Sequence, residues 1–336
     1  MQITIFGAGA IGGLTGALLE KAGQPVTLVD KVADHVRCIN ADGLRVTGFA
    51  GEFRVRPKAL EPHQLKGPLD TVFLCVKSLH TLDAMNALMP HLGPKSTLVC
   101  FQNGVNEETI AKLIGPQRTV GCLVQWGGDY QSPGHIEYGN HGPYQIGELD
   151  GRTTPRLVEL QKVLSKAQET FITGNIMGHK WSKQVWGYFY IGNALGTSPV
   201  PAMFANPRVQ RILYACFKEG IAVCQADGIK LEPFAEVPFD PPAFAKLDFE
   251  ATLPLFQQYA DHYRPFVKVF SGPWRDIAVR KRPTEVDYVL GPFVEKGRQC
   301  RIPTPLTERM IALVKDVEQG RRQQDDANIL ELEKLL

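Results

Sequence analysis

The sequence predicts a doubly wound α/β sheet followed by an all-α second half, and three observations carry that prediction. Short apolar runs alternate with helical patterns in the first part of the chain. A glycine-rich turn joins the first of these runs to the first helix. From about residue 175 helical patterns dominate to the end. The 336 residues suffice for two domains, each with its own core.

Residues 2–6 (Gln-Ile-Thr-Ile-Phe) read as a short buried strand. The helix that follows the turn places Ile11, Leu14 and Leu18 at helical spacing and closes at Gly23. Residues 25–30 form the second strand, ending in Asp30, and further strands are expected at 70–76 and 97–101. Helical patterns around 79–89 and 106–114 separate the runs, as a parallel, doubly wound sheet requires. Between 118 and 148 the pattern turns β-rich, broken by Gly and Pro. Thr173-Gly174-Asn175 then interrupts the chain before the long stretch 176–195, which predicts domains at 1–174 and 175–336. Residues 233–242 read as a Pro-rich loop, and 318–336 as a charged amphipathic helix presenting a solvated face.

Composition excludes several function classes. Formal net charge is +2, and no stretch gathers Lys and Arg among aromatic residues, so neither nucleic acid nor an anionic membrane is an expected partner. No apolar run reaches the roughly eighteen residues of a membrane helix, and a strand starting at Gln2 leaves no room for a signal peptide. The seven cysteines form no CxxC pair, and Cys75, Cys100 and Cys122 sit in apolar, strand-like runs, a pattern that fits a reducing cytoplasm. The histidines show no HxxxH or HExxH spacing, and no metal site is expected.

Gly7-Ala8-Gly9-Ala10-Ile11-Gly12 is a GxGxxG placed between a strand and a helix. Gly7 allows the tight turn, Gly9 lets backbone approach a pyrophosphate, and Gly12 lets helix and sheet pack closely. The helix N-terminus offers N–H groups and a positive dipole end to the phosphates. Asp30, at the end of the next strand, stands where a carboxylate accepts the ribose hydroxyls, which favours NAD over NADP. Lys31 is a cation that attracts a 2′-phosphate, so NADP stays open.

The sequence resembles the ketopantoate reductase family (2-dehydropantoate 2-reductases) over nearly its whole length, from Met1 to about Glu318. The pieces are Ile5-Phe6-Gly7-Ala8-Gly9-Ala10-Ile11-Gly12, Leu74-Cys75-Val76-Lys77-Ser78, Gln102-Asn103-Gly104 and Ile146-Gly147-Glu148-Leu149-Asp150-Gly151. They continue with Trp181-Ser182-Lys183, Arg282-Pro283-Thr284-Glu285-Val286-Asp287 and Ile302-Pro303-Thr304-Pro305, in matching order and spacing. The resemblance implies a Rossmann domain joined to a helical domain like that of 6-phosphogluconate dehydrogenase, with the active site in the cleft between them. It implies reduction of a 2-oxo acid to a 2-hydroxy acid, with 2-dehydropantoate, a step of pantothenate biosynthesis, as the substrate expected first. It makes Lys183 the general acid, with Glu285 and Asn103 orienting substrate, and sets Lys77, Gln102 and Asn103 beside the cofactor. Many relatives pair through the helical domain, so a homodimer is allowed, although no exposed stripe in this sequence demands one.

These residue types suit the chemistry. Hydride attack drives negative charge onto the carbonyl oxygen; an ammonium stabilises that charge and then supplies the proton. A carboxylate such as Glu285 accepts a hydrogen bond from the product hydroxyl and holds the lysine.

Two positions depart from the family, whose members usually carry asparagine four and eight residues after the lysine; here stand Gly187 and Ile191. Ser271 is displaced from the expected serine by one extra residue before Glu285. Tyr190 lies seven residues from Lys183, within about 20° of the same helix face, and offers a replacement donor, with Asn193 a further candidate. The run Trp186, Tyr188, Phe189, Tyr190 suggests a pocket reshaped for a different, bulkier 2-oxo or 2-hydroxy acid. A β-hydroxyacid dehydrogenase is a second enzymatic reading, against which Gly187 counts. A non-catalytic redox sensor that binds dinucleotide is a third.

Overall fold

In the computed structural model, which describes residues 1–233, 239–266 and 269–336, the chain divides into two compact units, Met1–Met177 and Gly178–Leu336. Along the first unit run β1 (Ile3–Phe6), α1 (Ala10–Lys21), β2 (Val26–Val29), α2 (Ala33–Asp42), β3 (Leu44–Gly48), β4 (Phe53–Val55), β5 (Lys58–Leu60) and β6 (Leu69–Leu74). Then follow α3 (Thr81–Leu88), β7 (Leu92–Cys100), α4 (Glu107–Ile114), β8 (Thr119–Val124), β9 (Gly127–Ser132), β10 (His135–Asn140), β11 (Tyr144–Glu148), α5 (Pro155–Leu164) and β12 (Thr170–Ile172).

β1 is buried on both faces, as a central parallel strand must be. It lies inside an eight-stranded sheet of order β12-β11-β8-β7-β6-β1-β2-β5. Its neighbours β2 and β6 both run parallel to it. Alternate side chains serve opposite faces: Ile3, Ile5 and Phe73 join a core with α1 and α5, while Phe6, Val72 and Leu74 join one with α3 and α4. The chain leaves β1 for β2 on one side and later returns to β6 on the other, so the strand order reverses at β1, where open α/β sheets bind ligands.

A second sheet, of order β4-β3-β10-β9, is absent from the sequence-based expectation. The β-rich stretch 118–148 divides between the two: β8 and β11 extend the main sheet, while β9 and β10 form a hairpin whose second strand runs parallel to β3.

The second unit is helical. It contains most of α6 (Ile176–Asn193), then α7 (Val200–Ala205), α8 (Pro207–Ala226), α9 (Pro241–Phe244), α10 (Phe249–Tyr263), α11 (Gly272–Ala278), α12 (Val286–Val289), α13 (Gly291–Cys300), α14 (Pro305–Glu318) and α15 (Ala327–Leu330). Of the Pro-rich loop expected at 233–242, residues 234–238 lie outside the described residues, and Pro241 opens α9. Among the described residues no helix is long and apolar enough to cross a membrane, and no disulfide joins any of the cysteines.

The tail corrects the expectation of one amphipathic helix over 318–336. α14 ends at Glu318, Gly320 turns the chain at φ +69°, and the segment beyond it packs against the C-terminal end of α6. The Asp326 carboxylate accepts from the backbone N–H groups of Thr197 and Ser198 and from the Ser198 hydroxyl. The Asn328 amide donates to the Leu195 carbonyl, and Ile329 and Leu332 are buried. The charges lie on a segment whose apolar residues are core, so the solvated face covers only part of it.

Candidate active site

In the first unit, the residues expected to meet the cofactor converge on the C-terminal ends of β1, β2, β6 and β7. Gly7 follows β1 at φ +99°, and a Cβ there would lie 2.7 Å from the Val76 nitrogen; only glycine fits. Gly9 faces open space, with nothing within 4 Å of a Cβ built on it. No side chain caps the N-terminus of α1 and no acidic residue occupies its first turn, so the loop suits an anionic diphosphate.

Asp30 and His35 shape this loop from behind. One carboxylate oxygen of Asp30 accepts from the Ala8 N–H at 2.8 Å and the other from the Val32 N–H at 2.9 Å. His35, fully buried, receives the Gly134 N–H on Nδ1 at 2.9 Å, and its Nε2–H therefore donates to the Ala8 carbonyl at 2.9 Å. The Tyr130 ring stands edge-on to the imidazole at 5.0 Å. Sequence reading singled out Asp30 but missed His35, because its partner Gly134 lies 99 residues away, in the turn between β9 and β10 of the second sheet. Removing the ring in His35→Ala leaves Ala8 and Gly134 with unpaired polar groups, which costs on the order of 1–3 kcal/mol each. We expect NADH binding to weaken about tenfold, read by fluorescence titration; an unchanged Kd would mean the loop holds its shape unaided.

Lys31 is exposed and Lys77 half-buried, three residues past β6. The Gln102 amide is committed to the fold, donating to the Val76 carbonyl and the Thr81 hydroxyl. Asn103 differs: its carbonyl is clamped by the Ser78 hydroxyl and the Asn106 amide, each at 2.7 Å, while the residue itself is exposed beyond β7. Ser78 and Asn106 thus hold Asn103 in place, a role no sequence motif revealed.

In the second unit, Lys183 lies half-buried on α6, and Glu285, also half-buried, precedes α12. Several contacts fix these two helices together. The Gln184 amide donates to the carbonyls of Tyr288 and Val289. Glu318, the last residue of α14, accepts from both the N–H and the hydroxyl of Thr284, which ties the start of the Glu285 segment to α14 as well. A Cβ at Gly187 would lie 2.7 Å from Val289 Cγ1, so glycine permits the close approach of α12. His179, one turn before Lys183, was not singled out in the sequence; burial pushes its imidazole toward the neutral form, opposed by Glu232.

Tyr190 completes this face. Its hydroxyl lies 3.1 Å from the position of that Gly187 Cβ, is buried, and has no hydrogen-bond partner among the described residues. Burial above all, then Glu285 and Tyr263, raises the phenol far above the usual tyrosine range and keeps it protonated. Asn193 and Ser271 are occupied elsewhere. The Asn193 carbonyl oxygen accepts from the Ser271 N–H and its amide donates to Ser198, while the Ser271 hydroxyl donates to the Tyr190 carbonyl. The other aromatic residues of the run do not line a pocket, which corrects the expectation. Trp186, Tyr188 and Phe189 are core residues; Trp186 packs among Phe204, Phe217, Phe239 and Tyr259, and the Tyr188 hydroxyl bonds that of Thr307.

The family profile described as ketopantoate reductase PanE/ApbA matches residues 3–151, and the profile of its C-terminal part matches residues 175–318. The chain belongs to the ketopantoate reductase family. Among curated relatives of this family, the 2-dehydropantoate 2-reductase of Pyrococcus horikoshii is 29% identical over 328 residues, covering 95% of this chain and 98% of the relative. The enzyme of the same name from Mesorhizobium japonicum is 26% identical, covering 95% and 99%. A solved PanE/ApbA family ketopantoate reductase from Ralstonia eutropha superimposes with a TM-score of 0.79 at 27% identity, over 96% of this chain and 99% of that one. A D-mandelate dehydrogenase solved with NADH and anilino(oxo)acetate superimposes with a TM-score of 0.82 at 20% identity, over 95% and 99%, a likeness of fold. As a member of this family the chain is an oxidoreductase.

Proposed function

We propose that this protein reduces the ketone of a 2-oxo acid to the 2-hydroxy acid, with 2-dehydropantoate as the first acid to test because the curated relatives are named for it. One observation carries the reading. The helix bearing Lys183 and the short helix that begins after Glu285 are pinned together, so an ammonium and a carboxylate are carried on two elements held against each other.

A reduced nicotinamide dinucleotide, when bound, supplies the hydride; the open, uncapped loop after β1 fits its diphosphate. The chain's own residues manage the charge. Lys183 stabilises the developing oxyanion and delivers the proton to that oxygen. Glu285 accepts from the resulting hydroxyl and holds the lysine ammonium. Asn103 presents its amide to substrate and cofactor. Oxidation of NADH and NADPH against a panel of 2-oxo acids tests the reading. Tight dinucleotide binding with no acid reduced would replace it with the redox sensor.

Asp30 favours NAD, since its charge repels a 2′-phosphate while its second lone pairs remain for ribose hydroxyls. Asp30→Asn removes the charge at nearly equal size but leaves either the Ala8 or the Val32 N–H without its acceptor, so the readout is the ratio of the two cofactors and not the binding of either alone. We expect the NADH-to-NADPH ratio of kcat/KM to fall about tenfold, the equivalent of roughly 1.4 kcal/mol. A ratio that stays fixed would hand the choice to Lys31.

A further inference from the structure

The face of α6 that carries Lys183, Gly187 and Tyr190 at i, i+4 and i+7 is closed by α12. A Cβ at Gly187 would meet Val289 Cγ1 at 2.7 Å and the Tyr190 hydroxyl at 3.1 Å, which leaves no room for a ligand there. Tyr190 is held in this seam. Its carbonyl receives the Ser271 hydroxyl, and its ring meets Phe189 edge-on at 5.5 Å. Its hydroxyl is nevertheless buried without a hydrogen-bond partner among the described residues. Such a group in a native protein calls for an explanation. In a filled seam the partner has to come from the chain itself.

The charged groups around the seam narrow the choice. Glu318 of α14 accepts from Thr284, Asp287 of α12 pairs with Lys315, and Arg280 and Arg282 pair with Asp276. Lys183 of α6 carries the same charge sign as these cations and accepts nothing. Tyr263 of α10 is a phenol like Tyr190 itself. Glu285 is different. It precedes α12 without capping it, and it is close enough for its charge to act on the Tyr190 phenol. Hydrogen bonds to a carboxylate are among the stronger ones. Tyr190 stays a neutral donor, because burial first, then Glu285 and Tyr263, keep its proton in place.

Resting on the functional reading above, we propose that Tyr190 is a positioning residue whose hydroxyl donates to the Glu285 carboxylate during turnover and keeps it ionised. In the resting structure the bond is not made. When the Lys183 ammonium passes its proton to the product oxygen, its positive charge is lost from the site. A carboxylate deprived of a neighbouring cation takes up a proton more readily, and a hydrogen bond to its charged form opposes that. The phenol supplies this bond without giving up its own proton. Glu285 can then go on accepting from the product hydroxyl.

The pH profile of kcat for 2-oxo acid reduction, in the wild type and in Tyr190→Phe, tests the inference. A step that needs ionised Glu285 gives the wild-type profile an acid limb. In Tyr190→Phe the limb should move up by about one pH unit, because the charged form has lost a donor. On the plateau, where the carboxylate is ionised in both proteins, kcat should fall by no more than about threefold. The Kd for NADH should not change, and Tm should be equal or higher, because the resting protein loses no internal hydrogen bond. An acid limb that is absent or stays in place, or a loss of equal size at every pH, overturns the inference while the functional reading stands. A wild type that reduces no acid of the panel overturns both.

Discussion

Lys183→Ala is expected to lower kcat for 2-oxo acid reduction by about a thousandfold, with dinucleotide affinity unchanged. General acid catalysis contributes roughly 10²–10⁴-fold, and the same ammonium also stabilises the oxyanion. Alanine removes both effects while leaving α6 intact, since alanine is the best helix former. The separation of the two readouts follows from the division of labour. The dinucleotide loop belongs to the first unit and Lys183 to the second. Single-turnover reduction and NADH titration measure the two independently. Small primary amines added to the variant should restore part of the rate, which a purely structural lysine would not allow. Undiminished turnover in Lys183→Ala would end the catalytic role assigned to this residue.

Gly12→Ala should have the opposite signature, a loss of cofactor binding. A Cβ on Gly12 would stand 2.1 Å from the Gly7 carbonyl oxygen and 2.8 Å from Cys75 Cβ. The first of these is backbone of the loop itself, so no rotamer relieves the clash, and either α1 lifts from the sheet or the loop deforms. We expect the NADH Kd to rise at least about a hundredfold. In the unaltered protein, NADH at a hundred times its Kd adds about 2.7 kcal/mol to stability; in the variant that gain should vanish. Thermal melts with and without NADH check this, and an equal ligand-induced rise in Tm would contradict it.

The glycine-rich turn between β1 and α1 was legible in the sequence because its geometry is local. Gly7, Gly9 and Gly12 sit within six residues, and Asp30 follows at the end of the next strand. The alternation of β1, α1 and β2 is set by the same short-range periodicities. What escaped depends on partners far away in the chain. β3 pairs with β10 across some ninety residues, so a five-residue strand ending in glycine gave no local sign of a second sheet, and His35 was hidden with it. The aromatic run on α6 misled for a different reason. That helix is buried nearly all round, so its apolar residues show no stripe, and nothing in the order Trp186, Tyr188, Phe189, Tyr190 tells which rings are core and which leaves its hydroxyl unpartnered. Asn193 and Ser271 were picked for their polar side chains, whose bonds turn out to join the end of α6 to the start of α11.

The tail's grip on α6 has a consequence for how the enzyme comes into being. Residues 325–329 supply groups that hold the turn leaving a helix made some 130 positions earlier. During synthesis on the ribosome, the first unit emerges complete long before the lysine-bearing helix receives its last contacts. A nascent chain should therefore capture NADH well before it can turn over any acid. Trimming by a carboxypeptidase past Asp326 should silence catalysis while the coenzyme still binds.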